Sequence, residues 1–374
     1  MSGSVTVSWN GMAVEAANPD RIADWNPELP AQTVRSTERA AAGVRRSGDQ
    51  AVGAFEVAAR LLLRTEGLAS SAIEGLRASP ADVALAEAGA ENLAGVDGQV
   101  AGWVADNLAV VRDALDERRP LSAALLFEWH TRLMGSHAML DAHHIGAYRD
   151  TLGWVGGPNP RLAAHVASPA ELIPELMDDL FAFVARTDVD PIAQAAVAHA
   201  QFETVHPFAD GNGRLGRVMI GCILTRRLDV SVPPPVSLEM ARDIGGYQAG
   251  LTLFRQGQVD TWVRWFADAV GASAERSSAI LAAVAALQDS WRSKIAGVRS
   301  DAAARRLCEL LPEHPVLSSA LVAELLGVSE QAGRVALDEL TKRSILAELP
   351  VRTGRVGRPR RWYAAEDLLD LLGR

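Results

Sequence analysis

Along most of this chain, apolar residues recur at three- and four-residue spacings, the period of a helix, and β-branched alternation is scarce. The pattern predicts helix from about Thr37 to Glu91, with punctuation near Gly75 and Ser79-Pro80. A second stretch runs from about Val100 to Arg118, and Leu121–Met134 reads as an amphipathic helix. Further helices are expected over Pro169–Arg186, Pro191–Val205, Arg214–Leu228, Met240–Arg255, Val259–Val270 and Ala274–Ile295. Three stretches break the period. Residues 1–35 carry Pro19, Pro27 and Pro30 and read as extended chain or loop. Gly135–Ser168 is rich in glycine, and its core TLGWVGG, Thr151 to Gly157, reads as a short hairpin. Residues 229–238 hold Pro233, Pro234 and Pro235 and read as a connection.

Composition narrows the class. The chain has 374 residues, 48% hydrophobic and 22% charged, which suits two or three globular units. Two cysteines, Cys222 and Cys308, exclude a disulfide framework and speak against a zinc-thiolate site. The first residues have no basic start and no sustained apolar stretch, so a cytoplasmic protein without a membrane partner is expected. The most apolar helical stretch, Ala279–Leu287, is too short to span a bilayer. A net charge of −9 argues against a bulk nucleic-acid binder. The charge is unevenly placed, however. Residues 301–374 hold 11 basic and 11 acidic side chains, and within them Lys342–Arg361 holds seven basic residues against Glu348 alone. That local excess marks a separate module.

The chemistry concentrates in HPFADGNGRLGR, His206 to Arg217. A histidine ends one helix, and Asp210 sits in a loop. Gly211 and Gly213 are expected to let the backbone around Asn212 adopt positive φ and turn its N–H groups inward. A helix follows at once, so its N-terminal N–H groups face the loop. Arg214 and Arg217 share one face of that helix. A proton acceptor, an oxygen ligand for a hard cation, an anion nest and two guanidinium groups thus fall in one small volume. The set suits a nucleotide phosphate with Mg2+.

The same residues resemble the Fic-domain signature, His-x-Phe-x-Asp/Glu-Gly-Asn-Gly-Arg-x-x-Arg, at every fixed position. HAQFETVHPF resembles the helix entering that loop, GAYRD with TLGWVGG resembles the family's target-docking flap, and SPAELIPELMDDLFAFV resembles the helix after it. The resemblance covers about residues 50–270. It implies transfer of AMP from ATP to a hydroxyl of a target protein or of the chain itself. His206 would be the general base and Asp210 the Mg2+ ligand. The N–H groups around Gly211, Asn212 and Gly213 would cradle phosphate, with the Asn212 amide orienting one oxygen. Arg214 and Arg217 would clamp the β and γ phosphates. Leu152, Gly153, Trp154 and Val155 of the flap would hold the target segment by strand addition.

Upstream, Ser70-Ser71-Ala-Ile-Glu74-Gly75 fits the Fic inhibitory pattern, Ser/Thr-x-x-x-Glu-Gly/Asn. Ser70 and Glu74 would then hold the enzyme down, Glu74 competing with the γ-phosphate for Arg217. In some family members the same glutamate serves AMP removal, and the sequence leaves both roles open. Tyr247 resembles the position near the adenine and equally suits a core tyrosine. His199 and Glu203 read as structural. His143 and His144 read as surface loop, because two histidines without a third spaced ligand make no metal site.

In the tail, Ser318–Leu326, a turn at Gly327 and a second helix capped by Ser329 have helix-turn-helix spacing. Ala332, Val335, Ala336 and Leu340 are expected on one face. Two strands and a basic turn, Arg352–Arg361, follow, and the whole resembles a winged helix. It would bind DNA or another protein. The expected architecture is mainly α: a Fic helical fold with a short β-hairpin flap, plus a C-terminal winged helix-turn-helix domain. The expected partition is residues 1–115 with the inhibitory motif, 116–272 as the Fic core, 273–300 as a connecting helix and 301–374 as the winged helix. A homodimer is plausible.

Overall fold

The computed structural model describes residues 2–54, 56–90, 96–137, 140–299, 302–350 and 360–372. The chain divides into two compact units, Met1–Gly48 with Ala109–Glu275, and Asp49–Leu108 with Arg276–Arg374. Both are mainly helical, as the 3.6-residue pattern predicts.

In the first unit the opening residues are not loop. Ser2–Trp9 pairs antiparallel with Met12–Pro19, and the pair Trp9↔Met12 closes a two-residue turn at Asn10-Gly11. Both turn residues take positive φ, +50° and +76°, which is what an Asn-Gly hairpin turn requires. Val14 and Ala16 face inward from the second strand. The next segment is bound through its backbone: Ile22 and Ala23 N–H groups donate to the Asp179 carboxylate at 2.7 and 3.1 Å.

Two helices form the centre of this unit, Pro191–Val205 and Asn212–Leu228. Pro191–Val205 is buried from Ile192 to Val205, so it has no polar face, as expected of a core helix. Asp190 starts it by accepting from the Ile192 and Ala193 N–H groups. Gly216 lies where the two helices meet. A Cβ there would stand 2.8 Å from Glu203 Oε1 and 3.0 Å from His199 Nδ1, so the close approach needs glycine. Trp262 anchors a third helix by donating from Nε1 to the Ala196 carbonyl at 2.8 Å.

Two expected boundaries change. Met240–Arg255 is two helices, Val236–Arg242 and Ile244–Arg255, divided where Asp243 leaves helical geometry (φ −121°) and caps Gly246. Val259–Lys294 is one continuous helix, because nothing between Val270 and Ala274 stops it. Its length and one 18-residue window of mean hydropathy 1.2 would suffice to cross a bilayer, contrary to the expectation from Ala279–Leu287. Trp262, Val263, Phe266, Ala267 and Val270 in its first part are buried, and a third of that window is buried inside the protein.

In the second unit, Val83, Ala101, Val104 and Leu108 form a core against which Leu68 and Leu76 pack. Asn107 Nδ2 donates to Gly67 O and Ser71 Oγ at 3.0 and 3.1 Å. The tail contains helices Ala303–Leu310, Ser319–Leu326 and Glu330–Lys342. Val316–Leu317, Trp362–Ala364 and Ala347–Leu349 form an antiparallel sheet with Trp362–Ala364 central. Ser318 and Ser329 cap their helices through Leu321 and Ala332 N–H groups. Gly333 permits close packing, since a Cβ there would meet Ser319 O at 2.8 Å. The face of Glu330–Lys342 differs from expectation: Leu337 is buried and Val335 is 58% exposed. Residues 352–359 of the basic turn lie outside the described residues.

Candidate active site

The loop between the two central helices is built by its own backbone demands. His206 terminates Pro191–Val205 in left-handed geometry, φ +51° and ψ +63°, with its N–H on Phe202 O at 2.8 Å. Gly211, at φ +78°, is the residue before the next helix. Within the loop it alone matches the expected positive-φ glycine, because Asn212 and Gly213 already belong to the helix. Residues 211 to 213 therefore present N–H groups from a helix start rather than from a free loop.

The Asn212 side chain bonds the backbone of its own loop. Its Oδ1 accepts from Phe208 N–H and its Nδ2 donates to Phe208 O, both at 2.8 Å. With Phe208 fully buried, these two bonds close the loop. Asp210 is the outward group, with 59% of its side chain exposed. Arg214 and Arg217 lie beneath it, each 2% exposed. Arg214 Nη2 stands 3.8 Å from Asp210 Oδ1 and 3.3 Å from Met134 Sδ.

Three residues outside the signature support this loop, among them Glu203, expected to be structural. Glu203, one helical turn before His206, places Oε2 at 3.7 Å from His206 Nδ1. Burial pushes the Glu203 carboxyl up, but the His206 imidazole and the charges of His199 and Arg217 outweigh it and hold the group at about 2. It is therefore a carboxylate.

His130, from helix Ala123–Met134, stacks on Phe208 with centroids 4.3 Å apart. Its Nδ1 accepts from Gly146 N–H at 2.9 Å and its Nε2 donates to Asp210 O at 3.1 Å. Burial lowers it to about 4, so the neutral ring holds one fixed tautomer.

Arg149, the arginine of GAYRD, is 3% exposed. Its guanidinium donates to the carbonyls of Thr151, Ser168, Val205 and His206. One side chain thus joins both ends of the flap to the loop after Val205. Glu203 lies one helical turn before His206 and Arg149 lies in GAYRD, whereas His130 is 80 residues from Asp210 and carried no local signal.

The hairpin is wider than the expected Thr151–Gly157, because its second strand lies beyond that stretch. Trp154–Val155 pairs with His165–Val166, and Leu152 and Gly153 lead into it. Trp154 and Val155 are 36% and 42% exposed. A Cβ at Gly153 would stand 2.9 Å from Arg149 Nε. His165 Nε2 donates to Thr204 O at 2.9 Å, fixing the return strand to the central helix. Trp9 of the N-terminal hairpin meets Trp154 edge-on at 6.3 Å. A cleft of about 520 Å3 is lined by Ala13 and Glu15 on that hairpin and by Arg161 and His165.

Tyr247 is 4% exposed and shares a 2.9 Å hydrogen bond with His199 Nε2. With Trp262 and Trp265 it forms an aromatic cluster, the geometry of a core tyrosine. Ser70 and Glu74 belong to the second unit. Ser70 is buried, Glu74 is exposed, and Gly75 ends the helix at φ +80°.

Residues 120–224 match the model of the Fic/DOC family. Protein adenylyltransferase fic-1 of Caenorhabditis elegans is 31% identical over 160 residues, 43% of this chain and 29% of its own length. Protein adenylyltransferase Fic of Drosophila grimshawi is 27% identical over 158 residues, 42% of this chain and 30% of its own length. This chain therefore spans about 30% of the length of these curated relatives. Among solved structures, a Fic family protein from Desulfovibrio desulfuricans G20 shares the fold with a TM-score of 0.55 and 22% identity. That match covers 91% of this chain and 97% of the other. A Fic-1 fragment from C. elegans gives 0.53 at 23% identity, covering 66% and 71%.

Proposed function

We infer that this chain, which carries a Fic/DOC domain over residues 120–224, transfers AMP from ATP to a hydroxyl of a protein. The target is another protein or the chain itself. One observation carries the reading. A histidine held in left-handed geometry stands at the end of one buried helix, and a short loop carrying Asp210 joins it to the N-terminus of another that carries Arg214 and Arg217.

The chemistry follows from those groups. His206 Nε2 accepts the hydroxyl proton as the hydroxyl oxygen bonds to the α-phosphorus. The bond from that phosphorus to the leaving pyrophosphate breaks. Glu203, anionic and on the far side of the ring, balances the imidazolium that forms. The N–H groups of the first helical turn and the two guanidinium groups meet the phosphate charge without reorganising, because the surrounding packing fixes them. Asp210 offers an exposed carboxylate oxygen, the donor type Mg2+ prefers. When bound there, Mg2+ would neutralise phosphate charge. The flap, fixed at both ends by Arg149, would hold an extended target segment alongside.

Glu74 is proposed as the inhibitory group, an anion competing with the γ-phosphate for Arg217. Its helix-terminal position before Gly75 and its match to the inhibitory pattern support the reading. The tail is proposed to be a winged helix, supported by its order of three helices and a three-stranded sheet. The outward face of Glu330–Lys342 carries Glu330, Arg334, Val335 and Asp338, and Arg334 lies 3.8 Å from Glu330. That mixed face favours a protein partner over DNA.

The direct test is label transfer from ATP carrying radiolabel at the α-phosphorus. Glu74→Gly is expected to incorporate more label than the wild type, and His206→Ala none. Equal, low incorporation by all three would contradict the transferase reading.

A further inference from the structure

We propose that Asp141, His143 and His144 bind a divalent transition cation, with zinc the best match, at a site separate from the Mg2+ position expected at Asp210. In sequence the two adjacent histidines lacked a third ligand. The structure supplies it. Asp141 precedes a single 3-10 turn, Ala142–His144, and one ligand atom from each of the three residues lies within 4.8 Å of the other two. Tetrahedral zinc with bonds of about 2.0–2.1 Å needs donors about 3.4 Å apart. Bringing the donors to that spacing would call on side-chain rotation, and Asp141 and His143 are exposed and His144 half-buried.

Two further observations point to a ligand role. Asp141 occupies the cap position of the turn, yet its carboxylate makes no capping hydrogen bond. It is thus available in the one place where an Asp ordinarily bonds its own turn. His144 Nε2 pairs with Asp150 Oδ1 at 3.0 Å. A carboxylate on one ring nitrogen orients the ring, the support that ligating histidines ordinarily have. Nδ1 of His144 is then the donor.

Two imidazoles and one carboxylate suit zinc, cobalt or nickel. Mg2+, which prefers oxygen donors, suits Asp210 instead. The site also has a mechanical consequence. The segment after it donates Gly146 N–H to His130, which donates to Asp210 O, and Arg149 N–H donates to Pro207 O at 3.0 Å. A cation at 141–144 would therefore brace the approach to the flap and, through His130, the catalytic loop.

The test is calorimetric titration of the metal-stripped full chain with zinc chloride alone. One equivalent is expected to bind, and His143→Ala/His144→Ala and Asp141→Asn are each expected to weaken it by more than about tenfold. Asp150→Asn, which leaves all three ligands in place, should weaken it by roughly tenfold. In the cobalt-loaded protein, visible d–d bands should appear and be lost in the double variant. Binding weaker than about 100 μM in the wild type would overturn the proposal, as would equal affinity in the double variant.

Discussion

Glu203 Oε2 stands 3.7 Å from Nδ1 of His206, one helical turn further along the same buried helix. The distance is too long for a good hydrogen bond but within ion-pair range, so the contact strengthens when the imidazole gains a proton. On the proposed mechanism, Glu203 would position the base. Glu203→Gln, made on the Glu74→Gly background, is expected to lower the turnover of label transfer by about 10–100-fold. The KM for ATP should stay nearly constant, since Glu203 is placed behind the ring. Glu203→Asp should recover part of the loss. A change confined to KM would show that the carboxylate acts on nucleotide binding instead.

Arg149 predicts a stability effect that charge alone would not produce. Its planar fork satisfies four carbonyls in a space from which water is excluded. A lysine keeps the charge but cannot reach the same acceptors. Arg149→Lys is expected to lose about 2–4 kcal/mol in urea unfolding, the range for breaking a buried network. A loss within measurement error would mean that the flap is held by other contacts.

Gly211 has two reasons to be glycine, its φ of +78° and a Cβ site 3.2 Å from Leu133 Cδ2 and Met134 Sδ. Gly211→Ala should cost about 1–2 kcal/mol from left-handed strain. It should also reduce label transfer, because the first helical turn would shift. Crystals of the variant would show the displacement of residues 210–213, and an unmoved loop would contradict the strain argument.

Acid should destabilise this unit in a defined window. Burial holds both His130 and His165 at about 4, below the ordinary value near 6.5. The unfolded chain therefore binds more protons between pH 6.5 and 4. Their contribution is complete above 6.5 and is lost as the pH falls towards 4, by at most about 3 kcal/mol each. Glu203, held at about 2, adds a second loss only below pH 4.5. Urea midpoints measured from pH 7 to 4.5 should fall, and His165→Gln should flatten the slope. A pH-independent midpoint would exclude the assignment.

Much of the architecture was legible because it rests on local rules. The helices follow from apolar spacing, and the loop follows from its glycines and the helix after it. The N-terminal hairpin carried a readable signal too, Asn10-Gly11 between Val5-x-Val7-x-Trp9 and Val14-x-Ala16. The three prolines downstream outweighed that signal, although only Pro19 lies within a strand and at its end. Val335 and Leu337 were exchanged because one residue of rotational error moves a side chain from face to face. Glu203, His130 and Arg149 were hidden for a different reason. Their roles depend on partners between one turn and 80 residues away, and no local spacing reports those. Asn212 shows the converse: its motif position was clear, and its bonds to Phe208 were not.

The central claim is AMP transfer centred on His206, and the mass of the modified protein tests it most directly. The Glu74→Gly chain, incubated with ATP and Mg2+ and analysed intact, should contain a species heavier by one adenylyl group. The Glu74→Gly/His206→Ala chain should lack it. A gain of a single phosphoryl group, or an adenylyl gain that persists without His206, would contradict the assignment.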